Sequence, residues 1–237
     1  YCNFFAAIIF SMNKTALIFG HSSGLGHEIT KTMLEDGYQV VGISRRESEI
    51  SSTSLINIKA DLENKEQIDE VVDKIKTNHQ QFDVLIFAAG TLTAHAIDNL
   101  DYVEMERLFK VNTFAPMAIE SALLPEIKSN GADIVNITTI ALYNFYPAFA
   151  EYSATKAAIA KFTEHLQKEL FDTPSRVIDF CPSGFTSNIY KDMTGDKVNR
   201  DESLQMKSSD LAKLILYTLK LPKRIEITKI LINRKPV

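Results

Sequence analysis

Short apolar runs and longer stretches of helical periodicity take turns along this chain. Lys14 to Phe19 is an apolar run ending at Gly20, and a glycine-punctuated turn leads from it into a periodic stretch over Leu25 to Asp36. The first predicts a strand and the second a helix. After Gly37, strands are expected at Tyr38 to Ile43 and Leu55 to Ile58, and a helix at Lys65 to Asn78. Val84 to Ala88 reads as a strand, Tyr102 to Ile127 as one long helix and Asp133 to Ile137 as a strand. Tyr152 to Phe171 is a helix, Arg176 to Cys181 a strand, Asp210 to Leu219 a helix and Ile225 to Ile232 the last strand.

Strands rich in Ile, Val and Phe that alternate with helices of this length imply right-handed βαβ crossovers and a parallel sheet covered on both faces. The expected fold is α/β: a single doubly wound Rossmann-type domain with about seven strands. Such sheets bind ligands at the carboxyl ends of their strands. At 237 residues the chain suits one domain of this kind, which we place at 12–237. Residues 1–11 are set aside as an N-terminal extension. The segment 188–209, polar and weakly periodic, is a candidate substrate lid.

Composition narrows the partners. Hydrophobic residues make up 45% and charged residues 24%, an ordinary balance for a globular protein. A net charge of −4 lacks the basic excess that nucleic acid would require, so any phosphate site must be local. The two cysteines, Cys2 and Cys181, form no cluster with the five histidines, so no metal site is expected. Tyr1 to Phe10 is too short to span a bilayer and lacks the basic flank of a secretory signal, which leaves the cytoplasm as the expected compartment.

Gly20-His21-Ser22-Ser23-Gly24-Leu25-Gly26 joins the first strand to the first helix, where a pyrophosphate meets free backbone N–H groups. Gly20 permits the turn, Gly24 the approach of phosphate, and Gly26 close packing of helix on sheet. The second strand ends in Ser44, Arg45 and Arg46, where an acidic residue would receive a ribose 2′-hydroxyl. A carboxylate repels a 2′-phosphate and a guanidinium holds it, so NADP(H) is expected over NAD(H). In Tyr152-Ser153-Ala154-Thr155-Lys156 a phenol and an ammonium four residues apart share a helix face. The ammonium favours phenolate and fits the tyrosine for acid–base work on a carbonyl.

Taken in order, the G-x-x-x-G-x-G turn, Asp61-Leu62, Ala89-Gly90, Asn112, Thr139, Tyr152, Lys156 and Pro182 resemble the short-chain dehydrogenase/reductase family over residues 13–237. The resemblance implies that Asp61 touches the adenine, that Ala88 to Gly90 line the cofactor cleft, and that Asn112 holds a water in a proton relay ending at Lys156. It also implies that the segment from Pro182 through Phe185 to Ser187 covers the nicotinamide. Contacts between two copies through the helices at 102–127 and 152–171 would make a homodimer or homotetramer. The chain departs from the family pattern in four places. Asn-Asn-Ala-Gly is here Phe87-Ala88-Ala89-Gly90, Pro-Gly is Pro182-Ser183-Gly184, the active-site serine is Thr139, and Ser23 stands where some NADP-preferring members carry a second base.

The expected function is reversible hydride transfer between NADP(H) and a small carbonyl or alcohol. Tyr152 serves as acid and base, Thr139 orients the carbonyl, and Lys156 holds the ribose. Two rivals are a catalytically silent NADP(H)-binding regulator and a sugar-nucleotide epimerase or dehydratase; the latter needs a larger carboxyl-terminal region than the fifty residues that follow Ser187. His21 reads as a solvent-exposed loop histidine and His95 receives no role. Tyr143, Phe145, Tyr146 and Phe149 are candidates for an apolar substrate wall. Met117, Ile119, Leu123 and Leu124 read as core or subunit-contact residues of the long helix.

Overall fold

A computed structural model describes residues 14–186 and 206–235. In chain order its elements are β1 (Thr15–Phe19), α1 (Gly24–Glu35), β2 (Gln39–Ser44), β3 (Leu55–Lys59), α2 (Lys65–Asn78), β4 (Val84–Phe87), α3 (Tyr102–Phe109), α4 (Ala115–Ala122), α5 (Leu124–Asn130), β5 (Asp133–Ile137), α6 (Ala150–Glu169), β6 (Val177–Pro182), α7 (Ser208–Lys220) and β7 (Lys229–Ile232). The strands form one seven-stranded sheet in the order β3-β2-β1-β4-β5-β6-β7, and every pairing is parallel. Among the described residues no helix is long and apolar enough to cross a membrane.

Both faces of this sheet are covered, which is why its strands read as continuous apolar runs. Every residue of β1, β4, β5 and β6 is buried. Side chains alternate between the faces. Leu17 and Phe19 join one core with Ile68, Val71 and Ile75 of α2, Ile119 of α4, Ile127 of α5 and Leu166 of α6. Ala16 and Ile18 join the other with Leu25, Ile29 and Met33 of α1 and Leu211, Ile215 and Leu219 of α7.

Two elements differ from the sequence reading. The helix expected over Tyr102 to Ile127 is three helices, with a π-helical turn at Lys110–Phe114 between α3 and α4. Ala115 N–H bonds back to Lys110, five residues away, and the next residue, Pro116, has no N–H to offer. Pro125 enters the first turn of α5 after α4 has closed at Leu123. Apolar periodicity runs through both breaks because the same face stays on the sheet. The last strand, expected from Ile225, begins at Lys229. The Ile225 carbonyl serves another partner: Arg176, just ahead of β6, donates to it at 3.0 Å and also to the carbonyls of Leu219 and Leu221, each at 3.0 Å.

Arg176 is buried, and its guanidinium also forks onto Asp133 at 2.7 and 3.1 Å. Truncating one member of such a pair leaves a buried charge uncompensated. Lys223 at 2.7 Å from Asp133 softens the loss but cannot replace the carbonyl contacts. Arg176→Ala is therefore expected to destabilise the domain by about 3 kcal/mol, read as a lower urea midpoint at unchanged m-value. A midpoint within error of the parent would show that the bidentate pair carries no net stability.

Candidate active site

Strand order reverses between β1 and β4, whose following chains leave on opposite sides of the sheet and open a crevice above their carboxyl ends. Gly20, at φ +86°, lies against the next strand's exit so closely that a Cβ there would sit 2.5 Å from the Ala89 nitrogen. A Cβ on Gly26 would sit 2.0 Å from the Gly20 oxygen. These two glycines let β1, the β4 exit and α1 converge. Gly26 does this by packing beneath the turn and does not itself line the crevice. Ser23 caps α1 without a side-chain hydrogen bond. The first-turn N–H groups are thus left for an anion.

The crevice is lined by Gly20, Ser22, Ser23, Gly24 and Leu25 of the turn, by Ser44, Arg45 and Arg46 after β2, and by Asp61 and Leu62 after β3. Ala88, Ala89 and Gly90, together with Tyr152, Lys156 and Phe185, complete it. These groups fit a dinucleotide: amides for a pyrophosphate, and at one end two guanidiniums with no ion pair among the described residues. Arg107 of α3 also lines the crevice, and its guanidinium donates to the Thr91 hydroxyl at 2.6 Å. Nothing in the sequence marks it, since its place depends on how α3 meets the β4 exit.

His21 requires a correction. It is fully buried, with its ring packed over Gly42 in mid-β2, where any Cβ would collide with it. Its Nε2 lies 2.6 Å from Asn57 Oδ1 and its Nδ1 3.1 Å from Ser44 Oγ. Ser44 Oγ in turn donates to the Arg46 carbonyl at 2.5 Å. The histidine thus braces the Ser44-Arg45-Arg46 turn from beneath. The signal that could have revealed this was the glycine inside a central strand, which marks a close approach from above.

Tyr152 lies in the first turn of α6, and Lys156 follows on the same face. Lys156 is buried, and its Nζ donates to the Ile137 carbonyl at 2.8 Å. Burial lowers its pKa to about 8, against the opposing pull of the Asp179 carboxylate. Its other N–H groups remain for a ligand. Asn112 sits in the π-helical turn, where its amide donates to the Thr91 carbonyl at 2.9 Å and the Thr155 hydroxyl at 3.1 Å. Its Oδ1 accepts from Thr91 N–H at 2.9 Å, so Asn112 ties the β4 exit to α6. Asn112 and Lys156 both come within van der Waals range of a Cβ placed on Gly90.

A second cavity of about 230 Å³ adjoins the crevice, and Thr138, Tyr152 and Phe185 line both. Thr139 and Pro182 belong to this second cavity and not to the crevice. The Thr139 hydroxyl accepts from Ala141 N–H at 3.2 Å. Thr138 points its hydroxyl into the protein, donating to Asp179 Oδ1 at 2.5 Å. Of the four aromatic candidates only Tyr146 and Phe149 reach the cavity, edge to face with centroids 6.4 Å apart. Phe145 is exposed and Tyr143 binds Lys229. His95 is held by Glu151, a buried neighbour of Tyr152, at 2.8 Å. Ser187 and nearly all of the segment 188–209 lie outside the described residues.

Fold and crevice together define a nucleotide-dependent oxidoreductase of the doubly wound class. The sequence profile of the short chain dehydrogenase family matches residues 14–197, most of the chain. An uncharacterized oxidoreductase of Staphylococcus saprophyticus is 27% identical over 236 residues, spanning 93% of this chain and 97% of its own. Among solved structures, a short-chain dehydrogenase from Streptomyces avermitilis superposes with a TM-score of 0.83 at 24% identity, covering 95% of this chain and 89% of that one. A serine dehydrogenase complexed with NADP+ has a TM-score of 0.85 at 22% identity, covering 93% and 94% respectively. The chain belongs to the short-chain dehydrogenase family and is an NAD(P)-dependent oxidoreductase.

The two threonines at the end of β5 should separate cleanly. Thr138→Ala strips a fully buried carboxylate of its short hydrogen bond and is expected to cost about 1–3 kcal/mol of stability. Thr139→Ala removes a hydroxyl beside Tyr152 and is expected to cut turnover strongly, whereas Thr139→Ser stays active. Thermal melts and initial rates on the same three variants check this. Full turnover in Thr139→Ala would make that hydroxyl structural only.

Proposed function

We propose that the chain catalyses reversible hydride transfer between NADP(H) and a small carbonyl/alcohol pair, with Tyr152 as general acid in the reductive direction. The observation that carries this reading is that Tyr152 lines both the cofactor crevice and the second cavity, with the buried Lys156 one helical turn behind it. A bound nicotinamide supplies or accepts the hydride, and the protein supplies orientation and a proton.

Tyr152 gives its hydroxyl proton to the oxygen of the reacting carbonyl. Lys156, held by Ile137, keeps positive charge beside the phenol and offers its free N–H groups to the ribose. Thr139 donates to the same carbonyl oxygen and orients it. Asn112 anchors the route by which the proton is replaced from water. Asp61 takes the adenine end, and Phe185 meets the nicotinamide. Association of two or four copies through the helical layer of α3 to α6, in the cytoplasm, completes the reading.

Arg45 and Arg46, at the crevice end braced by His21, support a preference for the 2′-phosphate. NADPH is expected to bind about 10- to 100-fold more tightly than NADH, the scale of one charge-assisted hydrogen bond. Arg45→Asp should erase or invert the ratio. Calorimetry with both cofactors checks this, and equal affinities in the parent would remove the preference. For the chemical step, Tyr152→Phe should still bind NADPH while turnover falls about 100- to 10,000-fold, because the transferable proton alone is gone. Stopped-flow of NADPH oxidation on a reducible carbonyl tests it, and an unchanged rate would transfer the acid role elsewhere.

A further inference from the structure

We propose that the second cavity selects substrates bearing a carboxylate, which Arg234 holds while the carbonyl meets Thr139 and Tyr152. The inference rests on the reductase reading and narrows it to one substrate class, small keto acids and the matching hydroxy acids.

Arg234 lies two residues beyond β7. The chain leading to it is fixed at the cavity wall, because Ile232 receives the Ser183 N–H at 2.8 Å and Ser183 itself lines the cavity. Apart from Arg234, the described residues of the lining are apolar, aromatic, hydroxyl and glycine residues with no carboxylate among them. Arg234 makes no hydrogen bond or ion pair with the described residues. Lys223 and Lys229, earlier in the same segment, each lie against a buried carboxylate, Asp133 at 2.7 Å and Asp179 at 3.3 Å. An exposed guanidinium without a partner among the described residues, in a concave site whose described lining is otherwise uncharged, can receive an anion.

That anion is not one of the cofactor's. Arg234 lines the second cavity and not the crevice, whose cationic end is supplied by Arg45, Arg46 and Arg107. A carboxylate fits better than a phosphate monoester: its single charge matches one guanidinium, and its planar oxygens suit the fork. The cavity, at about 230 Å³, falls below the usual 300–1,000 Å³ of drug-sized ligands, so the substrate is small. Tyr146, Phe149, Ile140 and Leu92 present apolar surface for its body. In the reaction the carbonyl carbon receives the hydride and the carbonyl oxygen receives the Tyr152 proton. The products are a hydroxy acid and the oxidised cofactor, and the carboxylate is unchanged.

The test is steady-state NADPH oxidation on matched pairs, acetoacetate against ethyl acetoacetate and phenylglyoxylate against its methyl ester. The parent is expected to favour the acid by about 10- to 100-fold in kcat/KM, the scale of one charge-assisted hydrogen bond. Arg234→Gln should bring the ratio near one, and Arg234→Lys should hold it at an intermediate value. NADPH binding by calorimetry reports that each variant is folded. Should the Gln variant fail that check, the Lys variant decides by whether its ratio falls. A parent that reduces acids and esters alike overturns the carboxylate inference and leaves the reductase reading standing. An acid preference untouched by either substitution also overturns it. A parent that oxidises NADPH with no member of the panel overturns the reductase reading, and the inference with it.

Discussion

The close approach of three pieces of backbone at the reversal of strand order governs the rest of this molecule. β1 exits through Gly20, β4 exits through Ala88 and Ala89, and both Ala88 and Ala89 N–H groups bond to the Phe19 carbonyl at 2.9 and 2.8 Å. Gly20 N–H meanwhile bonds to the Ile43 carbonyl at 2.7 Å, tying the turn to β2. No Cβ fits at Gly20 or Gly26 without displacing backbone. Because these contacts are backbone to backbone, they cannot be relaxed by a rotamer change. The start of α1, the two arginines after β2 and the Ala88-Ala89-Gly90 exit therefore converge as one rigid surface. This also explains why losing both asparagines of the usual family segment leaves the sheet intact here, since the carbonyl of Phe19 and the Asn112 bridge hold that exit.

Behind the crevice the protein accepts several buried ionisable groups, and their environments divide them by role. Lys156 is lowered to about 8 by burial, with the Asp179 carboxylate limiting the fall. Asp179 is itself held by Thr138, Cys181 and Lys229, so the charge that supports Lys156 is spread through a network across β5, β6 and β7. Burial pushes the Cys181 thiol up to about 12, which leaves it inert as a nucleophile despite its nearness to the site. On the opposite side of the sheet from α1, Glu120 of α4 is raised to about 8 by burial, with the neighbouring Asn136 pulling the other way. Neither Glu120 carboxyl oxygen has a hydrogen-bond partner among the described residues. A charged acid at that depth would cost far more than the fold could offset.

Much of this was legible because period and punctuation report on burial. Strands buried on both faces show as apolar runs, and α2 appeared at its observed limits because Asn64 caps its start, accepting from Gln67 N–H, and a polar stretch follows its end. The broken helix over 102–130 was not legible: Pro116 and Pro125 signal interruption, but the apolar face persists across both, and periodicity outweighed the prolines. The short β7 was hidden for a different reason. Ile225, where the strand was expected to start, spends its carbonyl on Arg176, a contact 49 residues away in sequence. His21 was misread because its neighbours in sequence are turn residues, while its neighbours in space are Gly42, Asn57 and Ser44. Spacing to Tyr152 singles out Thr139 in the sequence, but it does not show that Thr138 lines both cavities while its hydroxyl is committed to Asp179.

Net charge is a poor guide to where such a protein meets anions. The chain carries −4 overall, which lacks the basic excess of a nucleic-acid binder but says nothing of local sites. An exposed cation without a partner costs little, so its solitude alone carries no information. Concavity supplies the information. Arg45 and Arg46 face a crevice that also presents the glycine-turn amides and the carboxylates of Asp61 and Glu63, and Arg234 lines a cavity whose other described residues are apolar or hydroxylic. A carboxylate from the protein would neutralise Arg234, and none is among the described residues that line the second cavity. Tyr152 stands between the two, lining both spaces, so under the proposed reading a substrate anchored at Arg234 and a cofactor anchored at Arg45 would meet at the phenol. The distance between those anchors, rather than the chemistry of the Tyr-Lys pair, is what would distinguish the substrates of this chain from those of relatives with the same pair.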